Sequence, residues 1–517
     1  MSQSSSSAST ATYSSSKTMP DIAPPSSPHK NLWLILGPVL AVIAYAVAIF
    51  ITRQHFYSPS YAGEHDTYAV FATAVRPACI TFAVTVLCAI WWVSEAVPIP
   101  VTSLVPFALF PILGVLSHKT VAGAYGNTFI FLFMAGFMLS KAAEKTDTHK
   151  KIAHTVLAIV GGHTAPRIIL GFMIATAFCS MWISNTATAV MMLPVAIAVI
   201  DADKSKKLAV PLLLAIAYSA SIGGMATVIG TPPNGVLLSI YQESTGSEIA
   251  FHEWMMVGLP ISLILLAITW VYLALSAKLD QPIEFPATGK WTAAQKRVMI
   301  ILAITATLWI TRVLPGIGWA KALGITTVGD ASIAILAVIM MFIIPAGDQS
   351  PEKRGEKLLD WPSAAAIPWG ILLLFGGGLA IAAAFKSTGL TAAIGSQLTS
   401  LESLPVFLII LIICLGVTFL TEVTSNTATA TLFLPIAYAA SEALHLNPLI
   451  LMTPAALSAS CAFMLPVATP PNAVIFGAGH IHIRDMARKG FMLNIIAAVV
   501  IAVMVYWLVP TETIVIP

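Results

Sequence analysis

Two uncharged triplets, Ser184-Asn185-Thr186 and Ser425-Asn426-Thr427, place hydroxyl and amide groups inside otherwise apolar segments, SMWISNTATAVMMLPVAIA and TEVTSNTATATLFLPIAYA. Aligning Ser184–Ala198 on Ser425–Ala439 gives ten identities in fifteen positions, so the chain carries an internal repeat. Each triplet is followed by a Thr-Pro-Pro-Asn, Thr231-Pro232-Pro233-Asn234 in the first copy and Thr469-Pro470-Pro471-Asn472 in the second. Ser, Asn and Thr cap helix N-termini well, and the unpaired amides there favour anions. The carbonyls that end a preceding half-helix favour cations. Proline removes an amide donor and crowds the turn before it, so each Pro-Pro pair frees carbonyls just upstream. One tip can therefore hold a carboxylate and a sodium ion side by side.

Ser180 and Thr421 lie four residues before Ser184 and Ser425. On a helix that spacing puts each hydroxyl on the triplet's face, one turn below, where it can complete a cation shell of oxygens. Neither triplet contains a charged side chain. A doubly negative substrate in a neutral cavity is costly, so co-bound cations are the natural compensation and coupling becomes obligatory. Glu422, beside Thr421, reads as an anchor for its hairpin against a polar partner, with a proton-coupling carboxylate as the rival role. None of the breaks carries HExxH, paired aspartates or a nucleophile beside a base, so an intramembrane enzyme is not the reading. Hairpins opening to opposite sides suit alternating access better than a channel. His480 and His482, beside Arg484, read as interfacial rather than metal-binding, and Gly376-Gly377-Gly378 as close helix packing rather than a phosphate loop.

The elements that must hold these groups are membrane helices. Hydrophobic residues make up 57% of the 517 residues and charged ones 9%, about a third of the charge of a soluble domain. A net charge of +3, spread over loops, excludes nucleic-acid binding. The five cysteines lie in apolar runs without ligand-like spacing and read as reduced, buried thiols. Thirteen apolar runs are long enough to span a bilayer or to enter and return, the first near Asn31 and the last near Phe491. The two that hold the triplets are broken where a spanning helix has its centre, so they read as re-entrant hairpins and about eleven spans remain. Irregular backbone at membrane depth must be buried in protein or line a wet cavity, so the four breaks imply an internal polar cavity.

Charge asymmetry sets the expected topology. With the N-terminus in the cytoplasm and each hairpin entering and leaving on one side, 20 of the 26 Lys and Arg fall inside. The first hairpin then opens inward and the second outward, an inverted-topology pair, and the C-terminus lies outside. The expected division is a Ser/Pro-rich disordered tail over 1–30 that lacks the apolar core of a signal peptide, scaffold spans over 31–125, and a first repeat over 126–280. Connecting spans over 281–365 and a second-repeat core over 366–517 follow. The whole is an all-α polytopic protein of the plasma (inner) membrane, in contact with lipid.

At these residues the chain resembles the divalent anion/sodium symporter family of sodium-coupled dicarboxylate, citrate and sulfate cotransporters. The resemblance rests on the paired Ser-Asn-Thr motifs with a Thr-Pro-Pro-Asn after each and covers nearly the whole chain beyond the Ser-rich tail. It implies a homodimer of about eleven-span protomers with scaffold and transport domains moving as an elevator. It implies that Ser184, Asn185, Thr186, Ser425, Asn426 and Thr427 grip the substrate carboxylates, with Thr231 and Thr469 beside them. It implies at least two Na+ sites, one from Ser180, Ser184, Asn185 and the backbone of Gly230, the other from Thr421, Ser425, Asn426 and the backbone of Ala468. The expected activity is sodium-coupled import of C4-dicarboxylates such as succinate, malate and fumarate. The rival is a proton-coupled or exchange-type carrier of citrate, sulfate or another divalent anion.

Overall fold

The computed structural model describes residues 30–56, 75–203, 207–279, 289–325, 327–347, 354–398 and 403–510. Nearly all of the expected disordered tail and the C-terminal residues 511–517 therefore lie outside the described residues. The described chain is helical, its one extended pairing an isolated antiparallel bridge between Pro345 and Lys357. It opens with α1 (Lys30–Phe56), α2 (Arg76–Ser94), α3 (Ile99–Thr102), α4 (Val105–Ile112) and α5 (His118–Tyr125). A first series follows: α6 (Thr128–Lys145), α7 (Thr148–Val160), α8 (Ala165–Ser180), α9 (Asn185–Ala202), α10 (Ala209–Gly224), α11 (Pro232–Thr245) and α12 (Phe251–Ala274). Then come α13 (Ala293–Thr311), α14 (Trp319–Ala322), α15 (Asp330–Ile343) and α16 (Trp361–Ala365). The second series is α17 (Trp369–Ser387), α18 (Leu390–Leu398), α19 (Val406–Thr421), α20 (Asn426–Ala443), α21 (Pro448–Ala459), α22 (Pro470–Gly477) and α23 (Ile483–Leu508).

The two series run in the same order, with a break at each Ser-Asn-Thr and another before each Pro-Pro. Eight helices among the described residues are long and apolar enough to cross a membrane. Six shorter apolar helices accompany them, including α8 and α19, which lead into the triplets, and α10 and α21, which lead toward the Pro-Pro pairs. The helix starts follow from local chemistry. Asn127 accepts from the Phe129 amide at 2.9 Å, and Asn447 from the Leu449 amide at 3.0 Å. Thr292 and Gln295 cap each other reciprocally at the start of α13.

Lipid tails are as apolar as leucine, so small residues that let backbones approach hold such bundles together. The glycines of α17 do this toward three different elements. A methyl added to Gly377 would stand 2.6 Å from the Ser103 carbonyl oxygen, one on Gly376 would overlap the Tyr125 ring, and one on Gly378 would overlap the Thr431 side chain. That is the packing role expected of Gly376-Gly377-Gly378. An ion cluster, buried at Arg312 and Asp330 and exposed at Glu248, ties α13 to its neighbours. Arg312 Nε meets the Asp330 carboxylate at 2.6 Å, one terminal nitrogen meets Glu248 at 2.7 Å, and the other donates to the Val328 carbonyl at 3.1 Å. Arg312 and Asp330 are both buried.

The two series interlock. α9, the second limb of the first hairpin, packs on α22, and α20, the second limb of the other, packs on α11. Each hairpin thus sits against the helix that follows the Pro-Pro break of the other copy. The rings of Tyr218 on α10 and Phe463 after α21 meet edge to face, centroids 5.1 Å apart, and link the two interrupted helices.

Candidate ion and anion site at the paired breaks

At the first tip α8 ends at Ser180 and α9 begins at Asn185, with Ser184 as N-cap accepting from the Ala187 amide at 3.2 Å. Ser180 and Ser184 therefore flank the break instead of sharing a helical face, because the chain leaves the helix at Met181. The partner of the Ser180 hydroxyl is the next residue along: its Oγ lies 2.5 Å from the Asn185 side-chain amide and donates to the Ala220 carbonyl at 2.7 Å.

The Asn185 amide faces three oxygens, Ser180 Oγ at 2.5 Å and the carbonyls of Ala220 and Gly230, each at 3.2 Å. With its NH2 turned toward them, its two hydrogens are shared among the three. With its oxygen turned toward them, four oxygens share one hydroxyl proton, an arrangement that a small hard cation satisfies. The pocket is narrow for a backbone reason. A Cβ on Gly224 would stand 2.8 Å from Asn185 Oδ1 and 2.9 Å from the Gly230 carbonyl oxygen. One on Gly223 would overlap the Ala177 backbone of α8.

Residues 225–231 form turns between α10 and α11. Asn234, the last residue of the first Thr-Pro-Pro-Asn, is fully buried and donates to the carbonyls of Gly224 at 3.2 Å, Met225 at 3.3 Å and Thr227 at 2.8 Å. Thr227 Oγ1 donates to the Met181 carbonyl at 2.6 Å, which fastens this unwound stretch to the tip.

The second copy repeats the pattern. α19 ends at Thr421 and α20 begins at Asn426, with Ser425 as N-cap. Thr421 Oγ1 lies 2.8 Å from Asn426 Oδ1 and 3.0 Å from the Ala459 carbonyl, again one proton for two oxygens. Thr421 is likewise the last residue of its helix and does not share a face with Ser425. Asn472 donates to the carbonyls of Ala462 at 2.9 Å and Leu465 at 3.0 Å.

The copies differ in the length of the unwound stretch. α10 stops at Gly224, seven residues before Thr231 (231 − 224), whereas α21 stops at Ala459, ten before Thr469 (469 − 459). The longer unwound stretch frees additional amides, and Glu422 answers them. Its Oε1 accepts from Phe463 N at 2.7 Å, Met464 N at 2.8 Å and Asn494 Nδ2 at 2.7 Å, and its Oε2 from Leu465 N at 3.0 Å. The first copy has Met181 at this place and needs no such carboxylate. Glu422 is thus an anchor against polar partners.

Ser184, Asn185, Thr186, Ser425 and Asn426 are half-buried among buried neighbours, and Thr427 is buried. Thr231 and Thr469 are buried N-caps of α11 and α22, and Thr469 Oγ1 accepts from the Asn472 amide at 3.3 Å. Ala468 is buried, its amide donating to the Leu465 carbonyl at 3.2 Å. Sequence reasoning missed the carbonyls of Ala220 and Ala459, the side chains of Asn234 and Asn472, and Asn494. For the two Thr-Pro-Pro-Asn asparagines the duplication itself was the available signal.

Residues 74–511 match the model of the sodium:sulfate symporter transmembrane region. A sodium-dependent dicarboxylate transporter, SdcS, of Staphylococcus saprophyticus is 39% identical over 499 residues, covering 92% of this chain and 91% of that one. SdcS of Staphylococcus aureus MRSA252 is 40% identical over 514 residues, 94% and 92% of the two chains. Among solved structures, MtrF of Neisseria gonorrhoeae, described among antimetabolite efflux pumps, aligns with a TM-score of 0.54 at 12% identity over 93% of this chain and 95% of its own. The YdaH transporter of Alcanivorax borkumensis aligns at 0.51 and 14% identity, over 75% and 87%. These two likenesses concern the fold.

Proposed function

This chain belongs to the sodium:sulfate symporter family, and from that premise we propose that it is a sodium-coupled symporter importing C4-dicarboxylates such as succinate, malate and fumarate. It is an integral membrane transporter, and both full-length relatives carry the same substrate class in their names. The observation that carries the reading is the duplicated cluster at the tips: a hydroxyl, a side-chain amide and a backbone carbonyl of the interrupted helix, without a charged side chain among them, twice.

In this reading one Na+ sits with Ser180, Asn185 and the carbonyls of Gly230 and Ala220, and another with Thr421, Asn426 and the Ala459 carbonyl. Ser184 and Ser425, the triplet threonines Thr186 and Thr427, and the first-turn amides of α9 and α20 face the substrate carboxylates, with Thr231 and Thr469 alongside. The cations make a dianion tolerable in a neutral cavity, and the anion in turn draws the cations in, which couples the two. Three or more sodium ions per dianion make import electrogenic, each net charge contributing about 2.3 kcal/mol per 100 mV.

The interlocked copies form a transport unit, with α1–α5 and α13–α16 as scaffold, in a homodimer embedded in the inner membrane. The N-terminus is cytoplasmic, the C-terminus lies outside, and the transport unit moves as an elevator. A proton-coupled carrier through Glu422 is disfavoured, since the four groups facing its carboxylate are all donors.

The test is uptake of labelled succinate by proteoliposomes at fixed pH, with sodium and with choline in its place, against a panel of malate, fumarate, citrate and sulfate. Sodium-dependent uptake inhibited by the C4 acids is expected, and Asn185→Ala or Asn426→Ala abolishes it while leaving folded protein in the membrane. Equal uptake in choline removes the coupling, and unchanged uptake by both variants removes the site assignment.

A further inference from the structure

The helix that closes each series carries a glycine and, four residues on, a polar residue: Gly258 and Ser262 on α12, Gly490 and Asn494 on α23. Four residues make about one helical turn, so each pair shares a face. Both faces meet the unwound stretch of their own copy at the same place. Met225 and Phe463 each lie six residues before the threonine of their Thr-Pro-Pro-Asn. A Cβ on Gly258 would stand 2.6 Å from the Met225 carbonyl oxygen. One on Gly490 would overlap the Phe463 carbonyl and stand 2.6 Å from Met464 Cα.

The polar residue then reaches the backbone near the ion-facing oxygens. Ser262 Oγ donates at 2.8 Å to the Ile222 carbonyl, two residues from Ala220, and Trp254 Nε1 of the same helix donates to the Met225 carbonyl at 3.1 Å. Asn494 Nδ2 donates to Glu422 at 2.7 Å, and Asn494 Oδ1 accepts from Phe463 N at 3.3 Å. Glu422 is the neighbour of Thr421, so this contact fixes both the hydroxyl at the tip and the loop carrying the freed amides.

We propose that α12 and α23 are struts for the cation sites of their own copies, with Gly258 and Ser262, and Gly490 and Asn494, as positioning residues that touch neither ion nor substrate. The struts are unequal. The first works through a neutral hydroxyl-to-carbonyl bond and the second through a buried carboxylate, so the two sites differ in their dependence on the strut. Groups that orient the ligands of an ion are worth about 10–100-fold in its affinity, and a bond to a charged group exceeds a neutral one. This inference rests on the sodium reading above.

The experiment measures sodium activation of succinate uptake in proteoliposomes for native protein, Asn494→Ala and Ser262→Ala. It is paired with the substrate KM at saturating sodium and with melting in detergent with and without sodium. Asn494→Ala is expected to raise half-saturating sodium about ten-fold and Ser262→Ala about three-fold, with the KM at saturating sodium within about two-fold of native. Sodium-induced stabilisation of the purified variants shifts to higher sodium in parallel. Asn494→Ser, which keeps a donor, recovers part of the shift and carries the test if the alanine variant does not fold.

Native half-saturation in folded variants overturns the proposal. So does a rise in KM that matches the rise in half-saturating sodium, the mark of general loosening. A native protein without sodium dependence would instead overturn the symport reading, so the two failures are distinguishable.

Discussion

Replacing Glu422 by glutamine changes one oxygen into an NH2 group in a place where only donors converge. In the favourable orientation the amide oxygen keeps its bonds to Phe463 N, Met464 N and Asn494 Nδ2, and the new NH2 faces the Leu465 amide, which now donates at 3.0 Å to the carboxylate. One charge-assisted bond is lost, a buried donor meets a donor, and three bonds lose the charge that shortened them. With about 1.5–3 kcal/mol for a bond to a charged group and about 1–3 for a buried unsatisfied one, partial relaxation leaves a net cost of about 2–4 kcal/mol. For a chain of this length each kcal/mol corresponds to about 1–2 °C in Tm, by extension from smaller domains. Thermal unfolding of purified protein in detergent should therefore show E422Q melting several degrees below native. Glu422→Ala leaves the Met464 and Leu465 amides and the Asn494 donor unanswered in a buried place, with Phe463 N keeping only its 3.3 Å bond to Asn494 Oδ1, costs about 5 kcal/mol or more, and should fail to yield monodisperse protein. An E422Q variant melting within about 1 °C of native would refute the reasoning, because it would mean the unwound stretch holds its shape without the charge.

Two other substitutions test the packing around the site. Arg312→Gln leaves the buried Asp330 carboxylate without its cation and should destabilise by about 3–5 kcal/mol; the same melting assay reads it, and a native Tm would show that the cluster contributes nothing. Gly223→Ala forces α10 away from the Ala177 backbone of α8 at a cost of about 1–3 kcal/mol or more. Lower Tm together with weaker sodium-dependent uptake is expected from it, since the displaced helix carries the Ala220 carbonyl.

The breaks were legible because their causes are local. A proline lacks an N–H wherever it stands, and serine, asparagine and threonine cap whatever helix follows them, so the starts of α9, α11, α20 and α22 followed from residue types alone. The packing role of Gly376-Gly377-Gly378 was legible for the same reason: without side chains these positions have little to offer but closeness. The face-sharing expected of Ser180 with Ser184, and of Thr421 with Ser425, was a step too far. It carried each helix up to its triplet, whereas the helices end four residues earlier, at Ser180 and Thr421. Once the helix stops at Ser180, the hydroxyl turns to the asparagine five residues on, the first residue of the next helix.

What the amino-acid sequence determined by itself was the duplication, the apolar class, the four interruptions and the residue types at the tips. Tertiary structure decided which oxygens meet there. The carbonyls of Ala220 and Ala459 come from 40 and 38 residues away, and Asn494 reaches Glu422 across 72. A backbone carbonyl has the same chemistry at every position, so no residue type marks the one that a fold will expose, and the direction of a buried carboxylate is set by whichever amides an interrupted helix leaves unpaired.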